Sequence, residues 1–250
     1  MHRKLLLLSC LIFLSFSLLA QDLPTGLKLA SPQELAGIPL ASTPYSGADL
    51  PKTVDLSNKM PPVRKQKHND CVAWAVAYAV KSYQEKIEEA NQYIVNGQQN
   101  QNAVFCPSYI YNQINNGVDG GSFFQDALNI LSQQGAAKLS VMPYDDNGIS
   151  TQPNAQQKEA AKNYKIDFWR QVNIRDIKEV KAQLGAGYPV MIGASVDEGF
   201  MNDGRAQSGN FTWSSKKGKV LGGHAMVVVG YDDDQGAFKV INSWGTDWGN

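Results

Sequence analysis

One stretch constrains the rest of the chain: Gln66 to Tyr83, QKHNDCVAWAVAYAVKSY. A polar run ends at Asn69-Asp70 and a lone cysteine follows. Behind it Val72, Ala73, Ala75, Val76, Ala79 and Val80, with Trp74 and Tyr78, are apolar nearly all round for two turns. A helix apolar on every side is a buried one. Asn and Asp favour the position just ahead of a helix, because their side-chain oxygens accept the unpaired N–H groups of its first turn. The pattern predicts a helix from Cys71 to Ala90, about 30 Å long and able to cross a domain. Cys71 then lies at the helix N-terminus, where partial positive charge favours a thiolate over a thiol. Asp70 is expected to cap that helix and, as an adjacent anion, to oppose the same thiolate. A cysteine packed at the start of a buried helix is also an ordinary structural residue, so the chemical reading depends on what else the chain supplies.

Far downstream it supplies a base and an orienting group. His224 stands in GGHAMVVVGYD, where Gly222-Gly223 and Ala225 leave room for the ring to face a cleft; Asn242 stands in INSWGTDWG. A nucleophilic cysteine needs a neighbouring base whose tautomer is fixed by a third group. These three stretches, in this order, resemble the papain-like cysteine peptidases. His224-Ala225 with Val229-Gly230-Tyr231, and Asn242-Ser243-Trp244-Gly245 with Trp248-Gly249, carry the resemblance most specifically.

The resemblance implies Cys71 as nucleophile, His224 as general base and acid, and Asn242 as the partner that orients the histidine. It implies that Trp244 shields the His–Asn bond and belongs to the substrate-binding residues. Gln66 resembles the glutamine that joins the Cys71 N–H in an oxyanion hole, and Gly120-Gly121 the turn whose backbone pairs with an extended substrate. The Cys stretch departs from the family pattern. Gln66 stands five residues ahead of the cysteine where six is usual, Asn69-Asp70 replace Gly-Ser, and Val72 follows with Trp74 further on. These departures keep a second reading open, a catalytically silent papain-like domain that binds peptides or partners.

The bulk composition excludes other classes. Lys+Arg and Asp+Glu are both 23, so no basic excess argues for nucleic acid and no charge run suggests a membrane-surface patch. With 250 residues, 43% of them hydrophobic, the chain can bury a core as one domain or two tight lobes. His2-Arg3-Lys4, the apolar run Leu5 to Leu19 and Ala20 before Gln21 read as a signal peptide over residues 1–20, cut after Ala20. A secreted or periplasmic location follows, with no membrane association after cleavage. Export would permit a disulfide between Cys71 and Cys106, but that bond would consume the proposed nucleophile, so Cys106 is read as a small buried residue.

Residues 21–49, rich in Pro, Ser, Gly and Ala and without a period, read as linker or short pro-segment. The long helical prodomain common in the family does not fit into this length. Leu50-Pro51-Lys52-Thr53-Val54-Asp55 and Pro62-Val63-Arg64-Lys65-Gln66 resemble the start of the mature family domain, which is placed at 50–250; it is either abbreviated or continues past Asn250. Helices are predicted over Pro107–Ile114 and Phe123–Gln134. Strands are predicted over Tyr164–Val172, Pro189–Ser195, His224–Tyr231 and Ala237–Asn242, with a helix from Ile174 to Leu184 among them. Helices first and strands afterwards indicate an α+β protein, and the resemblance implies a two-lobe fold: a helical lobe on the Cys71 helix, an antiparallel β lobe carrying His224 and Asn242. The expected activity is that of a secreted cysteine-type endopeptidase, without metal or cofactor, acting on peptide or protein substrates and open to a protein inhibitor.

Overall fold

The computed structural model describes residues 23–44, 49–206 and 211–249; the expected signal peptide lies outside them. A short helix α1 (Pro32–Ala36) carries a reciprocal capping box between Ser31 and Glu34. Strand β1 (Thr53–Asp55) follows. The helix anticipated from Cys71 runs unbroken through α2 (Cys71–Ala73), a π-helical stretch (Trp74–Lys81) and α3 (Ser82–Glu89), and Ala90 ends it in the left-handed conformation, φ 55°. Every residue from Cys71 to Ala79 is buried, as its all-round apolar sequence requires. Lys81 is buried too, and its ammonium pairs with Glu85 at 2.7 Å.

The Asn/Gln-rich stretch after this helix makes a two-stranded ribbon, β2 (Ile94–Val95) and β3 (Gln98–Gln99), tied down where Gln99 Nε2 donates to Tyr78 Oη at 2.6 Å. Helices α4 (Pro107–Ile114) and α5 (Phe124–Gln133) pack on the first helix. Helix α6 (Ala155–Ala161) is opened by an Asn154/Gln157 capping box. The strand expected over Tyr164–Val172 does not form. Lys162–Tyr164 is a 3₁₀ turn and the rest is irregular, with only Gln171 bridged, to Leu40. Its alternation reflects packing of Tyr164, Ile166, Trp169 and Val172 against the core rather than a sheet.

Helix α7 (Ile177–Gly185) leads into β4 (Val190–Asp197), α8 (Glu198–Ala206), β5 (Val220–Asp232) and β6 (Ala237–Ile241). The sheet is antiparallel throughout, with β5 central, β4 along its first half, and β1 and β6 on its second. One apolar core joins the Cys71 helix, α4, α5 and the inner face of β5. A second, smaller cluster gathers Leu23, Val196, Phe200, Met226 and Trp244. The α+β class and the division into helical and β lobes match expectation. Cys71 and Cys106 are both free and buried.

The buried Lys81–Glu85 pair gives a stability test. Removing one partner leaves a charge uncompensated in the interior, which typically destabilises by about 3–5 kcal/mol. Glu85→Ala should therefore lower the unfolding free energy measured by urea titration by about that amount, through a lower midpoint with no change in the slope of the transition.

Candidate active site

Strand β5 aligns His224 opposite Ala194 of β4, and the β5–β6 hairpin returns the chain so that Asn242, just past Ile241, lies beside it. His224 Nε2 bonds Asn242 Oδ1 at 2.7 Å, and the Ser243 N–H donates to the same oxygen at 2.7 Å. A backbone N–H can only donate, so that atom is an acceptor and Nε2 carries the ring proton. Nδ1 is left with its lone pair free, buried and without a hydrogen-bond partner among the described residues. Trp244 stacks on the imidazole, centroids 4.3 Å apart and planes 22° from parallel, and covers one face of the ring.

The first turn of the long helix packs against β5 one residue further on, where the Ala225 N–H donates to Cys71 Sγ at 3.3 Å. Cys71, His224 and Gln66 are all 0% exposed. The Gln66 side chain is held at its far end by the Ser243 hydroxyl, which donates to Oε1 at 2.5 Å, while Nε2 donates to the His68 carbonyl at 2.8 Å and the Thr25 carbonyl at 3.2 Å. The shortened loop thus still delivers this amide to the cleft.

Thr25 belongs to the stretch read only as linker or pro-segment, and it is what the sequence left unplaced. Residues 23–28 lie along the cleft. The Gly26 and Leu27 N–H groups donate to the Gly223 carbonyl at 3.2 and 2.9 Å, the Ser122 N–H to the Gly26 carbonyl at 2.8 Å, and the Lys28 N–H to the Ser122 carbonyl at 2.9 Å. Leu27 and Ser122 pair as a parallel bridge. Trp244 Nε1 donates to the Pro24 carbonyl at 2.7 Å, and Asn69 Oδ1 accepts the Thr25 N–H at 3.2 Å. Leu23 is buried among Phe200, Met226 and Trp244. Gly26 takes φ +114°, and a Cβ there would sit 1.9 Å from the Asn69 carbonyl oxygen, so only glycine fits. At Gly121 a Cβ would meet the Gly26 carbonyl oxygen at 2.1 Å. Of the two glycines singled out in the sequence, Gly121 thus gives clearance for the segment, whereas Gly120 donates to Val118. The backbone pairing falls one residue later, on Ser122. Proline and glycine composition alone gave no sign of this; the Leu-Pro-Thr-Gly-Leu order, apolar residues flanking one obligatory glycine, is the signal that was available.

Covering the cleft sets its electrostatics. Burial pushes the Cys71 thiol up to about 12, the Ala225 N–H working against it and the neighbouring Asp70 adding to it. Burial likewise pulls His224 down to about 4, against the bond from Asn242. The thiolate expected at a helix N-terminus is therefore absent from this form, because desolvation outweighs the helix dipole. Asp70 does not cap the helix. Its carboxyl is buried and accepts from the Tyr144 hydroxyl at 2.8 Å instead. Burial raises it to about 8, Asp119 adding to the shift and the Tyr144 bond opposing it.

The His224 shift makes cleft opening pH-dependent. The closed form binds a proton at His224 near pH 4 and an opened, hydrated one near the ordinary 6.5, so closure is fully favoured above 6.5 and lost as pH falls toward 4. Between pH 8 and 5 the open fraction should rise about 30-fold, read as faster hydrogen exchange of the Leu27 amide after correction for intrinsic rates. Gly26→Val should have the same effect at constant pH, raising the rate of Cys71 alkylation by iodoacetamide at least ~10-fold, as expected for a buried neutral thiol returned to solvent.

The Papain family cysteine protease matches residues 50–250 of the chain. An uncharacterised peptidase C1-like protein of Acanthamoeba polyphaga mimivirus is 28% identical over 215 residues, covering 80% of this chain and 65% of its own. Gamete and mating-type specific protein A of Dictyostelium discoideum is 30% identical over 203 residues, covering 79% and 40%. The chain thus spans less than two thirds of the length of the curated relatives it matches. Among solved structures, xylellain, a cysteine protease from Xylella fastidiosa, superposes with a TM-score of 0.73 at 24% identity, covering 92% of this chain and 88% of its own. A digestive procathepsin L2 proteinase from the larval midgut of Tenebrio molitor gives 0.68 at 18% identity, covering 91% and 70%. The family match spans the helical lobe, the β lobe and the stretches that hold Cys71, His224 and Asn242, and the chain belongs to the papain family of cysteine proteases.

Proposed function

We propose that the chain is a cysteine-type endopeptidase made with its cleft filled by its own N-terminal segment, residues 23–28. The observation that carries this reading is the Thr25 carbonyl, which accepts the Gln66 amide where a scissile carbonyl would lie. The segment crosses the cleft from Leu23, buried against Trp244, to Lys28, whose N–H pairs with Ser122.

In the opened enzyme Nδ1 of His224, the free lone pair, takes the Cys71 proton. The thiolate attacks the substrate carbonyl carbon, and the oxygen's new charge is met by Gln66 Nε2 and the Cys71 backbone N–H at the helix start. The imidazolium returns its proton to the leaving amine as the C–N bond breaks. Water, deprotonated by the same nitrogen, then releases the acid and restores the thiol. Asn242 holds the ring in the tautomer that leaves Nδ1 free, and Ser122 offers the backbone edge on which an extended substrate pairs. In the closed form the thiol bonds to Ala225 and both partners are neutral, so attack does not begin.

Peptide and protein chains are the substrate class, and residues 23–42 act as the pro-segment, docked a second time where the Ala41 N–H donates to Gln171 and the Gln171 N–H to Pro39. We assign residues 1–20 as the signal peptide of an exported protein; among the described residues no helix is long and apolar enough to cross a membrane. N-terminal sequencing of the exported chain should begin at Gln21.

In full-length protein opened by Gly26→Val, hydrolysis of an unfolded protein substrate should vanish with Cys71→Ala and fall nearly as far with His224→Ala, because the two act as a unit. Asn242→Ala should retain partial turnover, and Gln66→Ala should lose about 10²–10³-fold. Full activity of Cys71→Ala would leave the silent, peptide-binding reading of the fold.

A further inference from the structure

The loop Gln66–Asp70 carries the amide assigned above to the oxyanion, yet it is short and its residues follow no regular element. Its groups are tied to the helical lobe by His68 Nε2 to the Asp145 carbonyl at 2.9 Å, the Asn69 N–H to Asp119 Oδ1 at 2.8 Å and Asn69 Nδ2 to the Asp119 carbonyl at 2.9 Å, and at a further point that differs in kind. There the Tyr144 hydroxyl accepts the Lys67 N–H at 3.1 Å and donates to Asp70 Oδ2 at 2.8 Å. One oxygen therefore binds the residue after Gln66 and the residue before Cys71, closing the loop between its two functional ends. The ring is fixed in turn against Trp74 of the helix, centroids 5.0 Å apart, edge to face. Asp70 is 1% exposed. A buried carboxyl that does not cap its helix needs hydrogen-bond partners, and the Tyr144 hydroxyl donates to it.

We propose that Tyr144, with Asp70 as its acceptor, is a positioning residue for the reaction: its hydroxyl clasps the shortened loop so that Gln66 and the Cys71 N–H converge on one oxygen. Neither residue touches substrate. Tyr144 acts through Gln66 and Asp70 acts through Tyr144. The carboxyl is needed for its acceptor oxygen rather than its charge, so an amide can replace it and an alkyl group cannot. This inference rests on the peptidase reading, and one of its measurements does not depend on activity.

The experiment uses the full chain. Without the Gly26 substitution, Tyr144→Phe should speed exchange of the Lys67 amide at least ~10-fold while leaving the Leu27 amide protected, since Phe removes the acceptor and keeps the ring. In the Gly26→Val background, Tyr144→Phe should lower kcat about 10-fold with KM within about 2-fold, as for a contact realised in the transition state. The rate of Cys71 alkylation, which uses no oxyanion donor, should stay as in Gly26→Val. Asp70→Asn should behave like its parent and Asp70→Leu like Tyr144→Phe. Adding Tyr144→Phe to Gln66→Ala should give no further loss, because the clasp has nothing left to position. Additive losses in that double variant, or unchanged Lys67 exchange in Tyr144→Phe, would overturn the proposal. A parent with no hydrolysis at all but a Lys67 amide that responds to Tyr144→Phe would overturn the peptidase reading and keep the clasp.

Discussion

The fold depends on bringing the first turn of one buried helix against one strand. The Ala225 N–H on Cys71 Sγ is the visible contact, but the force behind it is burial. A helix with no polar face from Cys71 to Ala79 must be covered on all sides, and β5, itself buried from His224 to Tyr231, covers the side that α4 and α5 do not. Because the strand is extended and the helix begins at the contact, His224 and Cys71 are neighbours by construction. The hairpin then adds Asn242, and the stacked Trp244 covers one face of the imidazole.

That same burial opposes chemistry unless it is relieved. A thiol and an imidazole with no solvent and no counter-charge stay neutral, and residues 23–28 are part of what covers them. The segment uses backbone for most of its hold, on Gly223, Ser122 and Trp244, so its grip depends on chain path more than on side-chain identity. Gly26 is the exception, since the Asn69 carbonyl approaches where any Cβ would be.

The loop ahead of Cys71 shows how a deviation from a family pattern is absorbed. One residue fewer between Gln66 and Cys71 would pull the amide out of reach if the loop were free. Tyr144, His68 and Asn69 tie it back to the helical lobe, and the Ser243 hydroxyl fixes the amide's other end. Asp70, expected to cap the helix, does not, and its carboxyl accepts from the Tyr144 hydroxyl instead.

Much of this was determined by sequence alone. The period of the Cys71 helix, Pro107–Ile114, the β5–β6 hairpin and the three stretches holding Cys71, His224 and Asn242 are all local patterns, fixed by side-chain spacing and turn chemistry. What only the tertiary structure decided are relations between segments far apart in the chain. The irregular run around Trp169 alternates because it packs, not because it pairs. Residues 23–28 carry no period, since a single strand threaded through a cleft takes its shape from the walls. The protonation of Cys71, His224 and Asp70 follows from what covers them. A helix N-terminus and a neighbouring charge can be read from sequence; desolvation, the larger effect here, is a property of the assembled fold.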